Sequence, residues 1–211
     1  MKALIISNGD INDYKFYKNF IEDYDFIICA DGGTNHAYKM GIIPTIIIGD
    51  LDSIENDVLE FYKKKNVKIQ KFPTSKDETD TQLAMLKAIE MKADDITFIG
   101  AIGSRFDHSF ANIALLHYLL KRDLKGKIIN EKNEIYLIDK NIEISGNVGD
   151  LISLIPYMGD VKGIYTKGLY FSLSGEDMSA EMPYGVSNYY TEKTAYINIS
   201  SGLLLVIKVR E

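Results

Sequence analysis

Short apolar runs alternate with longer segments of helical periodicity through the first 130 residues of the chain. This alternation is typical of an α/β domain in which helices cover a parallel sheet, because parallel neighbours need a long crossover connection. The predicted strands are Lys2 to Ser7, Phe26 to Ala30, Thr45 to Ile48, Val67 to Lys71, Ile96 to Ile99 and Lys127 to Ile129. The predicted helices are Tyr14 to Glu22, Thr34 to Met40, Ile54 to Lys64, Thr79 to Met91 and His108 to Lys121.

The pattern changes after about Asn130, where strand-like runs are separated by Gly, Asn, Asp and Pro. Such punctuation is typical of antiparallel β-structure. We therefore predict a domain boundary between Glu131 and Lys132, with a parallel-sheet α/β domain over residues 1–131 and a smaller antiparallel, β-sandwich-like domain over residues 132–211. The strands of the second domain are predicted at Ile135 to Ile138, Ile142 to Ile144, Leu151 to Ile155, Val161 to Tyr165, Ala195 to Ile199 and Leu203 to Val209.

Composition excludes several classes of protein. The 211 residues carry a formal charge of −6, which argues against a nucleic-acid partner, because phosphate-backbone affinity requires clustered cationic charge. No apolar run reaches the roughly 18 residues of a membrane span. Cys29 is the single cysteine, so an intrachain disulfide is impossible and a reducing compartment is favoured. We expect a cytoplasmic protein without a membrane partner.

Polar residues follow five of the predicted parallel strands. Since ligands of open parallel sheets bind beyond the carboxyl ends of the strands, these residues are candidates for a binding site. The segments are Ser7-Asn8-Gly9-Asp10, Asp31-Gly32-Gly33, Gly49-Asp50-Leu51-Asp52-Ser53, Thr74 to Asp80, and Gly100 to His108.

The carboxylates in these segments favour a divalent cation, because crowded acidic groups repel one another without one. Asp50 and Asp52 could share a cation with Asp80, and Mg²⁺ fits oxygen ligands that are completed by substrate phosphates. Arg105 and the glycines would serve phosphate groups. Each feature also has a structural explanation: Asp52 or Ser53 could cap the helix predicted from Ile54, and Asp77 or Thr79 the next one.

Six segments in fixed order resemble the thiamine pyrophosphokinase family, and they extend through nearly the whole chain. They are Ala30-Asp31-Gly32-Gly33, Ile48 to Ser53, Lys76-Asp77-Glu78-Thr79-Asp80, Gly100 to His108, Gly168 to Leu173, and Val186-Ser187-Asn188. The resemblance implies an enzyme that transfers pyrophosphate from ATP to the hydroxyl of thiamine, giving thiamine diphosphate and AMP. It also implies that the first domain binds the nucleotide.

The resemblance assigns a role to each group of residues. Mg²⁺ would be bound by Asp50, Asp52 and Asp80, and the catalytic residues would be Asp80, Arg105 and Asp107, the last deprotonating or orienting the thiamine hydroxyl. The nucleotide would contact Asn8, Gly9, Asp31, Gly32, Gly33, Ser53, Thr79, Gly100, Gly103 and Arg105. Thiamine would contact Tyr170, Phe171, Ser187 and Asn188 in the second domain, across a homodimer whose active site lies between subunits.

Two alternatives remain open. The run from Thr45 to Ser53 also resembles the nucleophile strand of haloacid-dehalogenase-type phosphatases, with Asp50 as the nucleophile. A non-catalytic thiamine or nucleotide sensor could retain the same pocket. Ser104 departs from the family pattern, because relatives commonly carry a second glycine there.

Overall fold

The computed structural model describes residues 1–18, 20–75 and 77–210, and its chain divides into two compact units, Met1–Glu131 and Lys132–Glu211. In the described residues no helix is both long and apolar enough to cross a membrane. The mixed α/β class and the second antiparallel sheet predicted from the sequence are confirmed.

The first unit contains a parallel sheet with the strand order β6-β5-β1-β2-β3-β4. The inner strands are almost continuously apolar, as expected for strands covered on both faces, and the side chains of Leu4, Ile6 and Ile47 are fully buried. The strands are β1 (Lys2–Ile6), β2 (Phe26–Ala30), β3 (Ile46–Gly49), β4 (Lys68–Lys71), β5 (Asp95–Ile99) and β6 (Lys125–Ile129).

Helices lie between these strands, close to the predicted positions. They are α1 (Tyr14–Lys18), α2 (Gly33–Met40), α3 (Asn56–Lys64), α4 (Asp80–Glu90) and α5 (Phe106–Leu120). The helix predicted over Tyr14 to Glu22 is shorter, since α1 ends at Lys18 and a separate 3₁₀ turn covers Ile21–Asp23. Residue 19 is outside the described residues.

The buried face of α5 differs from the one that the sequence pattern predicts. Spacings of three and four predict an apolar face of Phe110, Ile113, Ala114, His117 and Leu116 or Leu120, but Phe110 is 55% exposed. The buried face instead contains Ser109, Asn112, Leu115, Leu116 and Leu119. Two polar residues interrupt the apolar pattern of this face, and both are hydrogen-bonded to the loop after β5.

The second unit contains two antiparallel sheets that share one apolar core, which includes Ile152, Ile164 and Val206. One sheet has the order β12-β9-β14-β7 and the other β11-β10-β13-β8. The strands are β7 (Asn133–Ile138), β8 (Asn141–Ser145), β9 (Leu151–Pro156), β10 (Val161–Lys167), β11 (Ser174–Met178), β12 (Gly185–Tyr189), β13 (Thr194–Asn198) and β14 (Leu204–Val209).

Strands β11 and β12 are not evident from the sequence pattern, and in both cases there is a physical cause. Of the five residues of β11, only Met178 is buried, so the strand lacks apolar alternation. Strand β12 is irregular, because its pairing with β9 shifts between Gly185 and Asn188 and Ser187 has a φ of 59°. A left-handed residue inside a strand breaks the period of two.

Candidate active site

A cleft lies beyond the carboxyl ends of the parallel strands in the first unit. Its volume is about 350 Å³, at the lower end of small-molecule sites. Many of the predicted site residues line it: Asn8, Gly9, Asp31, Asp52, Ser53, Thr79, Asp80, Gly100, Gly103 and Arg105. Lys76 is outside the described residues.

Three carboxylates meet at this edge of the sheet. Oxygen atoms of Asp31, Asp50 and Asp80 all lie within 4.8 Å of one another. The structure thus groups Asp31 with Asp50 and Asp80, whereas Asp52 lies outside this group of three. The metal set of Asp50, Asp52 and Asp80 stays a prediction. Asp52 is exposed and accepts a hydrogen bond from the Ser53 hydroxyl at 2.9 Å.

Unusual backbone geometry brings these carboxylates together. Asp31 follows β2 with a φ of 43°, and Leu51 follows Asp50 with a φ of 72°. Left-handed backbone is costly for leucine, but the Leu51 side chain packs against the core of the first unit. Gly49 permits the close approach, since a Cβ there would lie 2.9 Å from the Cβ of Asp31.

Asp31 is suited to a divalent cation. It is 6% exposed, and its Oδ1 has no hydrogen-bond partner among the described residues. Burial raises its pKa, and repulsion from Asp80 and Asp50 raises this pKa further, against hydrogen bonds from Ser53 and the Gly32 backbone. A cation would satisfy the unpaired oxygen and relieve the repulsion, so these three oxygens fit a hard metal ion.

Two hydrogen-bonded links fix the loops around the cluster. The Asn35 side chain on α2 donates to the Ser53 carbonyl at 2.9 Å and accepts from the Glu55 N–H at 3.1 Å. The buried hydroxyls of Ser7 and Thr81 lie 2.9 Å apart and join the end of β1 to α4. The carboxylate-bearing loops are thus anchored before any ligand binds.

Thr79 combines a structural role with its place in the cleft. Its hydroxyl oxygen accepts the Gln82 N–H at 3.2 Å and caps α4. The helix-cap explanation therefore applies to Thr79, whereas the cap position of α3 is Glu55 and neither Asp52 nor Ser53 occupies it.

Gly32 and Gly33 are required for packing. A Cβ on Gly32 would lie 2.4 Å from the Asn8 side chain, and one on Gly33 would lie 2.0 Å from the Ile6 carbonyl oxygen. Neither glycine lines the cleft. Their small size lets α2 begin against β1, so the structure gives them a supporting role and does not place them in the predicted phosphate contact.

Gly9, Gly100 and Gly103 join the loops that follow β1 and β5. The Gly9 N–H donates to the Gly100 carbonyl at 2.6 Å. A Cβ on Gly9 would lie 2.4 Å from that carbonyl oxygen, and one on Gly103 would lie 2.9 Å from the Asp10 nitrogen. The two loops thus pack backbone against backbone, with little space for side chains.

Arg105 and Asp107 bind each other at the start of α5, where both are largely exposed. The Arg105 guanidinium holds the pKa of Asp107 below its ordinary value. Arg105 lines the cleft, whereas Asp107 does not. This geometry weakens Asp107 as a general base and favours an orienting role.

Sequence analysis also missed several residues of the cleft. His108 is exposed and lines the cleft. Ser109 and Asn112 are buried there, and their hydroxyl and amide groups bond the loop after β5. The available signal was a pair of polar residues, three apart, on an otherwise apolar helix.

The predicted thiamine residues lie together in the second unit. Tyr170 and Phe171 are 58% and 60% exposed, and Tyr170 stacks on Tyr189 with ring centroids 4.6 Å apart. Ser187 is exposed and its backbone N–H donates to Ser153 Oγ. An exposed aromatic surface of this kind can stack on a flat cationic ring.

Asn188, predicted to contact thiamine, is buried and bonded to the backbone. It is 5% exposed, its Oδ1 accepts the N–H groups of Phe171 and Tyr189, and its Nδ2 donates to the Phe171 carbonyl at 2.8 Å. Because the amide is committed to backbone groups, we assign Asn188 to the support of Phe171 instead of direct ligand contact.

Comparison with known proteins identifies the family. The family model described as thiamin pyrophosphokinase, catalytic domain, matches residues 17–128, and that described as thiamin pyrophosphokinase, vitamin B1 binding domain, matches residues 137–204. The chain belongs to the thiamine pyrophosphokinase family. The family predicted from the six sequence segments is thereby confirmed.

Thiamine pyrophosphokinases also stand among the curated relatives and solved structures. The thiamine pyrophosphokinase of Bacillus subtilis (strain 168) is 27% identical, with 99% of each chain covered. A crystal structure of thiamine pyrophosphokinase from Bacillus subtilis matches with a TM-score of 0.89 and 26% identity over 100% of both chains. One from Geobacillus thermodenitrificans has a TM-score of 0.85 and 25% identity, over 100% of this chain and 98% of that one. The phosphatase and sensor alternatives receive no support from these comparisons.

Proposed function

We propose that this chain is a Mg²⁺-dependent thiamine diphosphokinase, which transfers pyrophosphate from ATP to thiamine and releases AMP. The observation that carries the proposal is the cluster of Asp31, Asp50 and Asp80 at the carboxyl edge of a parallel sheet, in a chain of this family. Asp31 supports the proposal, because its buried Oδ1 has no hydrogen-bond partner among the described residues and could bind a cation.

The reaction joins the hydroxyethyl oxygen of thiamine to the β-phosphorus of ATP. The bond between that phosphorus and the oxygen bridging to the α-phosphate breaks, AMP leaves with that oxygen, and the hydroxyl loses its proton. Catalysis of such a transfer depends on alignment and on neutralisation of phosphate charge.

The acidic cluster would hold the metal ion, and other residues that line the cleft would surround the nucleotide. Asp31, Asp50 and Asp80 would hold Mg²⁺, with Asp52 near enough in sequence to contact its water ligands. When bound, Mg²⁺ would neutralise charge on the phosphate oxygens. Backbone groups of Gly9, Gly100 and Gly103 and the side chains of Asn8, Ser53 and Thr79 would surround the nucleotide, since all six residues line the cleft.

Arg105 is the cation for the transferring phosphates. It is exposed at the cleft, and its partner Asp107 can release it when a phosphate offers a stronger charge. Asp107, once released, would orient the thiamine hydroxyl by accepting its hydrogen bond.

The second unit would supply the thiamine surface. Tyr170 or Phe171 would stack on a thiamine ring, and Ser187 would offer its hydroxyl to the ring edge. The family resemblance further implies a cytoplasmic homodimer whose active site forms between subunits.

A product assay tests the function. The purified protein is incubated with ATP, Mg²⁺ and thiamine, and AMP and thiamine diphosphate are quantified by chromatography. Equal amounts of both products, and no AMP without thiamine, are expected. ADP or inorganic phosphate in their place would contradict the proposal, and inorganic phosphate alone would favour the phosphatase alternative. The Asp80→Asn variant is the matched negative control.

A further inference from the structure

Asp10 reaches across from the loop after β1 to the loop after β5. Its Oδ2 accepts the backbone N–H of Ser104 at 2.7 Å. The contact joins residues 94 positions apart, so it fixes one loop against another and does not arise from a local turn. A hydrogen bond to a carboxylate is stronger than one between neutral groups.

Two side chains of α5 also hold the loop after β5. Ser109 Oγ accepts the Gly103 N–H at 3.1 Å and lies 3.1 Å from the Arg105 carbonyl oxygen. Asn112 Nδ2 donates to the Ala101 carbonyl at 2.7 Å. Both anchors belong to α5, so they would allow this part of the loop and the helix to shift together. Outside that helix, the backbone bond from Gly9 fixes only the beginning of the loop, at Gly100, whereas Asp10 fixes it next to Arg105.

The position of this anchor matters because Arg105 comes next. Ser104 immediately precedes Arg105, which begins α5 as its N-cap and lines the cleft. Gly103 packs directly against Asp10, since a Cβ on Gly103 would lie only 2.9 Å from the Asp10 nitrogen. The two loops are therefore already in van der Waals contact at Gly103 and Asp10. The hydrogen bond from the Ser104 N–H to the Asp10 side chain adds to that contact.

We propose that Asp10 is a positioning residue that holds the Gly103–Arg105 loop in place and so fixes the point from which Arg105 reaches the transferring phosphates. This inference rests on the proposed function, because it assigns Arg105 to the phosphates. For this role Asp10 needs only an oxygen atom that accepts the Ser104 N–H, and its negative charge matters less than that oxygen.

Two substitutions separate these properties. Asp10→Asn keeps an acceptor oxygen and removes the charge, whereas Asp10→Ala removes both. We expect Asp10→Ala to lower kcat about 10- to 100-fold, since small misplacements of a catalytic group have effects of that size. The KM for thiamine should stay within about twofold, and Asp10→Asn should retain at least about a third of wild-type kcat.

Asp25→Ala is the matched control. Asp25 also accepts a backbone N–H from a distant residue, Lys2, at 2.6 Å, but at the amino ends of the strands. It should leave kcat and KM within about twofold of wild type. If Asp10→Ala does not fold, Asp10→Gln replaces it, because the longer side chain displaces the acceptor and keeps polarity.

Hydrogen exchange provides a measurement that does not depend on the reaction. The Ser104 amide should exchange at least about tenfold faster in Asp10→Ala than in wild type, and close to the wild-type rate in Asp10→Asn. Equal losses of kcat in Asp10→Asn and Asp10→Ala, or unchanged exchange at Ser104 in Asp10→Ala, would overturn the proposal. A wild-type protein that makes no thiamine diphosphate would instead refute the proposed function, with the exchange result still deciding the role of Asp10 in the loop.

Discussion

Arg105 and Asp107 form a two-point ion pair, with Arg105 Nη2 2.6 Å from Asp107 Oδ2 and Nε 3.3 Å from Oδ1. Two side chains predicted to act on the substrates thus bind each other. The pair keeps Asp107 ionised and available as a hydrogen-bond acceptor. It also keeps the Arg105 guanidinium directed along the first turn of α5.

Replacement of Asp107 by asparagine should reduce kcat only about tenfold. The Arg105 guanidinium lowers the pKa of Asp107, so this carboxylate is a weak base, and loss of a true general base would cost 10²–10⁴-fold. The pH dependence of kcat in Asp107→Asn should have the same shape as in wild type, because Asp107 does not act as the base. Steady-state kinetics between pH 6 and 9 measure both quantities.

The stability of the same variant should be almost unchanged. Exposed ion pairs contribute little to stability, and Glu60→Gln, which breaks an exposed pair with Lys63, is the control. A kcat loss above about 1,000-fold with intact stability would establish Asp107 as the base and contradict the orienting role.

Removal of the buried charge at residue 31 should abolish the stabilising effect of Mg²⁺. For wild type, Mg²⁺ at about 100 times its Kd should raise the thermal unfolding midpoint by about 5 °C. Asp31→Asn removes repulsion from Asp50 and Asp80, so its midpoint without metal should be higher and its Mg²⁺-dependent shift should vanish. Asparagine tolerates the left-handed backbone at this position, which makes it the conservative choice.

Asp52→Asn is the companion variant, since Asp52 lies outside the cluster. It should keep more than half of the Mg²⁺-dependent shift, measured by differential scanning fluorimetry with Ca²⁺ and EDTA as references. Complete loss of the shift in Asp52→Asn, with retention in Asp31→Asn, would restore the metal set predicted from the sequence.

Acidification should destabilise the first unit through His36. Its Nε2 lies 2.9 Å from the Gly9 carbonyl oxygen and its Nδ1 2.9 Å from the Tyr14 hydroxyl. Burial lowers the pKa of His36, with Lys39 acting in the same direction and Asp10, Glu131 and the Gly9 bond opposing it.

The sign follows from this lowered pKa. The unfolded chain binds a proton near the ordinary histidine pKa of about 6.5, before the folded chain does. The stabilising contribution is therefore complete above pH 6.5 and falls as the pH decreases through that value. Urea unfolding at pH 7.5 and 5.5 should show a smaller pH-dependent loss for His36→Gln than for wild type. The variant of an exposed histidine, His108→Gln, is the control and should lose as much stability as wild type between pH 7.5 and 5.5. If His36→Gln also loses as much as wild type, the assignment of the pH dependence to His36 is refuted.

Truncation of Asn188 should displace the exposed aromatic side chain of Phe171, because Asn188 bonds the Phe171 backbone. Asn188→Ala leaves the Phe171 and Tyr189 N–H groups without their acceptor, a destabilisation of about 2 kcal/mol or more. The KM for thiamine should rise with the displacement of Phe171. Ser187→Ala is the neighbouring control, and urea unfolding should leave it within about 0.5 kcal/mol of wild type. Wild-type stability in Asn188→Ala would contradict the supporting role.

Much of the candidate site could be predicted because polar residues at strand ends are visible in sequence. Parallel strands align their carboxyl ends, so Asp50 and Asp80 had to approach each other. The grouping of Asp31 with Asp50 and Asp80 could not be predicted, because it depends on left-handed backbone at Asp31 and Leu51. Sequence spacing carries no information on such dihedral angles.

Secondary structure and buried faces could be predicted where burial gives the sequence a regular apolar pattern. They could not be predicted where hydrogen-bonded polar side chains interrupt that pattern. Strands β1, β2 and β3 lie close to the predicted ranges, since they are largely apolar. The buried face of α5 was missed because Ser109 and Asn112 satisfy their polar groups on the loop after β5, which allows polar side chains inside. Only the position of that loop explains their burial.

Leu51 takes part both in the packing of the first unit and in the backbone geometry next to the acidic cluster. Its side chain packs on the core while its backbone, at a φ of 72°, separates two acidic neighbours. A left-handed leucine stores about 1–3 kcal/mol of strain. A glycine at this position would release that strain and lose the side-chain packing, so the backbone conformation beside Asp50 and the packing of the first unit depend on the same residue.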